Sequence, residues 1–254
     1  MGERAAEQFL PFARIENRDA VASAPRREMK FAIPHADLGK LVSVLDTNFR
    51  RVQHGAASTV VRSIYLDDER LSGYRESVDG TGNRRKVRLR WYNDDDRDGR
   101  FFFEVKKRVF DLVVKNRLEV GSPVALGELT YREILERLTE LLPPEYREVL
   151  MRHSSPVLLC EYRRLYFEGT DHRQRVTVDY DLEWCAQAGR DRINRRFAVE
   201  LPQLVIVELK TPPGSSLGAL RHLRPLRLTP TRSSKYVVGC QQLGLVEDTR
   251  GGLF

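Results

Sequence analysis

In the segment RRKVRLRWY (Arg84 to Tyr92) three cations, Lys86, Arg88 and Arg90, recur at every second position. In a β-strand that spacing puts all three on one face and leaves Val87, Leu89 and Trp91 on the other. The same period returns downstream, in Glu104, Lys106 and Arg108, in Lys115, Arg117 and Glu119, and in Arg164 between Tyr162 and Tyr166. It returns again in Arg173 and Arg175 with Asp179, and in Glu208 with Lys210. An outer sheet face ordinarily mixes its charges, because like charges opposite one another on adjacent strands repel. Strand after strand of cations on one face repels itself unless an anion sits among them. The chemistry these residues could do is the binding and neutralisation of a polyanion.

Other chemistries lose their usual support. The patterns GxxxxGK[ST], HExxH and GxGxxG are all absent, which removes the signatures of P-loop, zincin and Rossmann proteins. The histidines His35, His54, His153, His172 and His222 are scattered without ligand spacing. Asp94, Asp96, Asp98 and Gly99 open like a calcium loop, but Val105 stands where the closing Glu belongs. That loop therefore reads as a solvated hairpin turn. A metal site would have to be built from carboxylates, which suits Mg²⁺ or Mn²⁺ and a phosphate substrate.

Composition agrees with an anionic partner. The 254 residues are 41% hydrophobic and 31% charged, with 43 Lys and Arg against 36 Asp and Glu, a net charge of +7. This is a soluble chain with a core and a basic remainder. Nucleic acid is set aside as the partner, because Trp91 falls on the strand face opposite the arginines and cannot stack over what they bind. Three sparse cysteines, Cys160, Cys185 and Cys240, form no CxxC pair, which fits the reducing cytoplasm. No signal peptide and no apolar run of about 20 residues is present. A link to a membrane would then need another protein.

The elements that must position these side chains follow from periodicity. Residues 1–25 read as a poorly ordered lead-in, 26–244 as one domain and 245–254 as a tail. RREMKFAI alternates as a strand that Pro34 stops, and Leu38, Leu41, Val42 and Leu45 keep helical spacing. TVVRSIYLDD, RRKVRLRWY, RFFFEVKKRVF, VVKNRLEV, PVLLCEYRRLYFEG, RQRVTVDYDLEW and RFAVELPQLVIVELK read as further strands. Ser122 and Pro123 suit the start of a helix carrying Leu126, Leu129, Ile134, Leu138, Leu141 and Leu142. A last helix falls near SSKYVVGCQQLG. The result is an α+β domain dominated by antiparallel strands. In VIVELK the charges Glu208 and Lys210 sit among residues apolar on both faces, so they must be paired, metal-bound or lining a wet cavity. An antiparallel β-barrel tunnel with a polar, basic interior and helices over its apolar exterior satisfies all of these constraints.

EMKF, SIYLDD, KVRLRWY, FFEVKKR, KNR, EYRRLYF, RVTVDYDL, VIVELK and RSSKYVVG, in that order, resemble the VTC domain, the polyphosphate polymerase branch of the triphosphate tunnel metalloenzymes, also called CYTH-like. The resemblance spans about Arg26 to Gly244. It implies a tunnel open at both ends that binds ATP and inorganic polyphosphate, and transfer of the terminal phosphate of ATP to a growing chain with Mn²⁺ or Mg²⁺. It also implies phosphate ligands at Lys30, Arg88, Arg90, Lys106, Arg164, Arg175, Lys210, Arg232 and Lys235. Lys86, Arg62 and Lys115 or Arg117 are added to that set, with Arg88, Arg90, Lys106 and Glu208 as the catalytic group. The resemblance further implies Glu208 as the metal ligand, with Glu28 and Glu104 as candidate helpers. Arg26 stands where the related hydrolases begin an ExExK motif, which favours polymerase over triphosphatase chemistry. The alternatives are a triphosphatase acting on tripolyphosphate or a nucleoside triphosphate, and a sensor that binds polyphosphate or nucleotide without turnover.

Overall fold

A computed structural model describes residues 21–22, 24–54, 56–92, 101–121, 126–170, 173–215, 223, 226, 228, 230–231 and 234–247. The proposed calcium-like loop at Asp94 to Gly99, the helix start at Ser122 and Pro123, His172, His222 and Arg232 lie outside the described residues.

The alternating runs form strands. In chain order these are β1 (Val21–Ala22), β2 (Arg26–Pro34), β3 (Arg50–Val52), β4 (Thr59–Asp67), β5 (Asn83–Tyr92), β6 (Phe101–Val109) and β7 (Leu112–Gly121). After the central helices come β8 (Ser155–Glu168), β9 (Arg175–Ala186), β10 (Val199–Leu201) and β11 (Leu204–Thr211). Thus RFAVELPQLVIVELK is two strands and not one. Each recorded strand pair is antiparallel. Following neighbours through β9, β11, β2, β7, β6, β5, β4 and β8 returns to β9, so eight strands close in a ring. In the same sheet, β10 lies beside β9, β3 beside β8, and β1 pairs Val21 with Arg117 of β7.

Among the described residues five α-helices accompany the ring: α1 (Leu38–Asn48), α2 (Ser72–Asp79), α3 (Tyr131–Leu141), α4 (Pro144–Arg152) and α5 (Lys235–Gln242). The helix carrying Ile134, Leu138 and Leu141 begins at Tyr131. There Thr130 and Glu133 form a reciprocal capping box, which satisfies two backbone donors that an open helix end leaves unpaired. Sequence periodicity passed over α2 and α4, both of nine residues or fewer.

Strand parity sets the layers. Val87, Leu89 and Trp91 of β5 share one apolar cluster with Phe101, Phe103 and Val105 of β6 and with Ile134 and Leu138 of α3. On the other side Val205, Val207 and Leu209 of β11 cluster with Leu41 and Leu45 of α1. These alternate residues leave the intervening cations facing into the ring. A third cluster draws Val61, Tyr65, Tyr162 and Ile206, which share the parity of inward side chains, together with Tyr236, Val238 and Cys240 of α5. Part of the ring's inward face is therefore apolar and packed against α5. That helix is fastened by the Tyr236 hydroxyl, which donates to Asp67 Oδ2 at 2.6 Å, while Asp67 also accepts from the Gly73 and Tyr74 amides.

Candidate active site

The inward side chains surround a cavity of about 1270 Å³. Fourteen of its lining residues are Lys or Arg and three are Glu. Lys30, Lys86, Arg88, Arg90, Lys106, Lys115, Arg117, Arg164, Arg175, Glu208, Lys210 and Lys235, drawn from eight different elements, line it together. Arg26, Arg84 and Arg108 join them. The signal for these three was already in the sequence, since each continues an alternate-residue series.

Arg62 is the exception. It sits on the opposite face of β4, where its Nε donates to Glu161 Oε2 at 2.6 Å and its Nη2 to Oε1 at 3.1 Å. Every residue of β4 is buried, so its pattern could not say which face is inner.

Three buried carboxylates organise the cations. Glu104 of β6 lies directly opposite Arg88 of β5 and Arg117 of β7. Its Oε2 accepts from Arg88 Nη2 at 2.6 Å and Nε at 2.9 Å, and its Oε1 from Lys115 Nζ at 3.2 Å. Asp179 of β9 accepts two bonds from the Arg164 fork, at 2.6 and 2.8 Å, and a third from Lys235 at the start of α5. Glu208 of β11 stands 3.1 Å from Lys210 Nζ and 3.8 Å from Lys106 Nζ. Burial alone would raise each carboxyl group. The neighbouring cations prevail and hold all three below the usual carboxylate range. The lysines feel the opposite balance. Burial, reinforced by adjoining cations, pushes Lys30 and Lys115 down to about 8 and Lys86 well below its ordinary value. Lys86 is steadied by donating to Ser234 Oγ at 2.7 Å, and Arg90 by donating to Ser63 Oγ at 2.9 Å.

The donor set also bears on a divalent cation. Glu208 Oε1 is buried without a hydrogen bond, as is the hydroxyl of Thr177, the residue paired with Glu208 across β9 and β11. The Glu28 carboxyl adjoins Glu208. Among the described residues no group of three or more His, Cys, Asp and Glu side chains is placed to hold a metal. These hard oxygen donors fit a Mg²⁺- or Mn²⁺-like ion that takes its remaining ligands from phosphate. Glu28 and Glu104, the helpers expected from the sequence, both have cations at their two oxygens, Arg26 and Lys106 in the case of Glu28, which leaves Glu208 Oε1 as the carboxylate oxygen open to an ion.

The fold and site are thus a closed ring of antiparallel strands around a cationic cavity. The sequence profile of the VTC domain matches residues 25–244, and the chain belongs to that family. No curated protein matches it in sequence. Solved structures that share the fold include two that cover most of this chain. The PH1819 protein of Pyrococcus horikoshii OT3 superposes with a TM-score of 0.50 at 13% identity, over 85% of this chain and 99% of its own. HpAC1 from Hippeastrum, reported to have a dominant triphosphatase activity, does so with a TM-score of 0.50 at 12% identity, over 85% of this chain and 95% of its own. No helix among the described residues is long and apolar enough to cross a membrane.

Proposed function

We propose that this chain is a polyphosphate polymerase, that the interior of its ring is a tunnel for the phosphate chain, and that ATP is the donor. The observation that carries the reading is the convergence of fourteen cations on one cavity. Phosphoryl transfer asks a protein mainly to align its reactants and to neutralise charge on nonbridging oxygens, and it needs no protein nucleophile. In the proposed step a terminal oxyanion of the acceptor chain attacks the γ-phosphorus of ATP. A new P–O bond forms, the bond to the β-phosphate oxygen breaks, and ADP leaves. Arg88 and Arg90 present planar forks to the phosphate oxygens, and Lys30, Lys106, Lys210 and Lys235 act as point charges. Lys86, Lys115, Arg117, Arg164 and Arg175 extend the wall along the chain, with Arg232 as a further ligand. Glu208 would hold Mn²⁺ or Mg²⁺, which when bound supplies further neutralisation of the transferred phosphoryl group.

Arg26 supports polymerase over triphosphatase. It takes the position of a hydrolase carboxylate and ion-pairs with Glu28 at 3.0 Å, which leaves one carboxylate fewer to handle water. The buried free cysteines suit the cytoplasm, and coupling to a membrane would run through a separate protein. Incubation with ATP and Mn²⁺ followed by phosphorus NMR tests the reading. Chain-internal phosphate signals that vanish in Arg88→Ala and Glu208→Gln are expected. Free phosphate alone would make the protein a triphosphatase, and binding without turnover would make it a sensor.

A further inference from the structure

Glu104 is fully buried, yet four cavity-lining cations surround it. Besides its bonds to Arg88 and Lys115, its Oε1 lies 3.4 Å from Arg117 Nε and its Oε2 lies 3.7 Å from Arg90 Nη1. These groups are set by the register of β5, β6 and β7, so one fixed negative charge sits behind four positive ones that face the cavity. Those N–H groups are also the ones a phosphate oxygen would need.

Resting on the reading of the cavity as a phosphate site, we infer that Glu104 is a positioning residue that acts as an internal counter-anion. It gathers Arg88, Arg90, Lys115 and Arg117 into one wall before the phosphate chain arrives, and then competes with that chain for their hydrogen bonds. Four cations at such separations repel strongly in a poorly solvated site, so the carboxylate is what lets the empty wall stay assembled. Once phosphate is bound, the same carboxylate is a like charge beside it. It thereby weakens binding and speeds release, as a chain that must move through the site requires.

A merely structural Glu104 would have to weaken binding when altered, whereas a counter-anion must do the opposite. Glu104→Gln keeps the shape and removes the charge. Isothermal titration with tripolyphosphate is expected to show about tenfold tighter binding and a steeper loss of affinity with added salt. Its melting temperature without ligand should fall, and its gain on adding tripolyphosphate should exceed that of the unaltered protein. Glu104→Asp, which restores the charge, should bring both readouts back. If Glu104→Gln folds only when tripolyphosphate is supplied, the ligand has taken over the carboxylate's task, as inferred. Equal or weaker binding by Glu104→Gln, or a chain that stays unfolded in saturating tripolyphosphate, overturns the inference alone. Failure of the unaltered protein to bind tripolyphosphate overturns the phosphate-site reading with it.

Discussion

Arg164 and Asp179 face each other across β8 and β9 inside the ring, joined by two parallel hydrogen bonds of 2.6 and 2.8 Å. Both are buried, and Asp179 also receives Lys235 from α5. Asp179→Asn would leave two cations without their counter-charge. Breaking such a buried pair costs about 3–5 kcal/mol, which for a domain of this size lowers Tm by on the order of 10 °C. Differential scanning calorimetry checks this, and tripolyphosphate should recover much of the loss because it supplies the missing anion.

Arg62 and Arg88 make a paired control. Arg88→Ala removes charged hydrogen bonds facing the cavity and should weaken tripolyphosphate binding about 30-fold. Arg62→Ala breaks the outer pair with Glu161, so it should lower stability by about 1–3 kcal/mol and leave affinity within about twofold. An Arg62→Ala protein that folds yet loses affinity as Arg88→Ala does would place the ligand outside the ring.

The pH response should change sign with the ligand. Burial holds Lys30 and Lys115 at about 8, below the ordinary lysine range. A lysine depressed in the folded state is penalised in full at pH values below 8. The penalty fades as pH rises from about 8 towards 10.5, so these two groups make the unliganded protein more stable across that window. A bound polyanion needs them charged, so tripolyphosphate affinity should fall over the same window. In acid the depressed carboxylates Glu104, Asp179 and Glu208 work the other way. Their stabilisation is complete above the ordinary carboxylate range and is lost as pH falls below it. Melting curves from pH 4 to 10, with and without tripolyphosphate, check both slopes.

Gly239 tests the seating of α5. A methyl group there would overlap the indole of Trp184, whose Nε1 donates to the Lys235 carbonyl at 2.9 Å. Gly239→Ala should cost about 1–3 kcal/mol. It should also weaken tripolyphosphate binding, because Lys235 at the first turn of α5 shifts with the helix. Unchanged affinity in a folded Gly239→Ala protein would separate α5 from the site.

The inward direction of Lys86, Arg88 and Arg90 was legible because a strand alternates faces and their partners Val87, Leu89 and Trp91 are apolar. Glu208 and Lys210 were legible for the opposite reason, as charges in a segment otherwise apolar on both sides. The short helices α2 and α4 were not, since two turns carry too little periodic signal and tertiary packing supplies their stability.

The sequence by itself determined which side chains could form a cationic wall, because residue type and the two-residue period are local properties. Tertiary structure alone decided which cations share a carboxylate. The pairing of Glu104 with Arg88 and Arg117 depends on strand register, and that of Asp179 with Lys235 on where a helix 56 residues later comes to rest. Arg62 shows the same limit in one residue. Its strand is buried on both faces, so only closure of the ring could assign it to the outside.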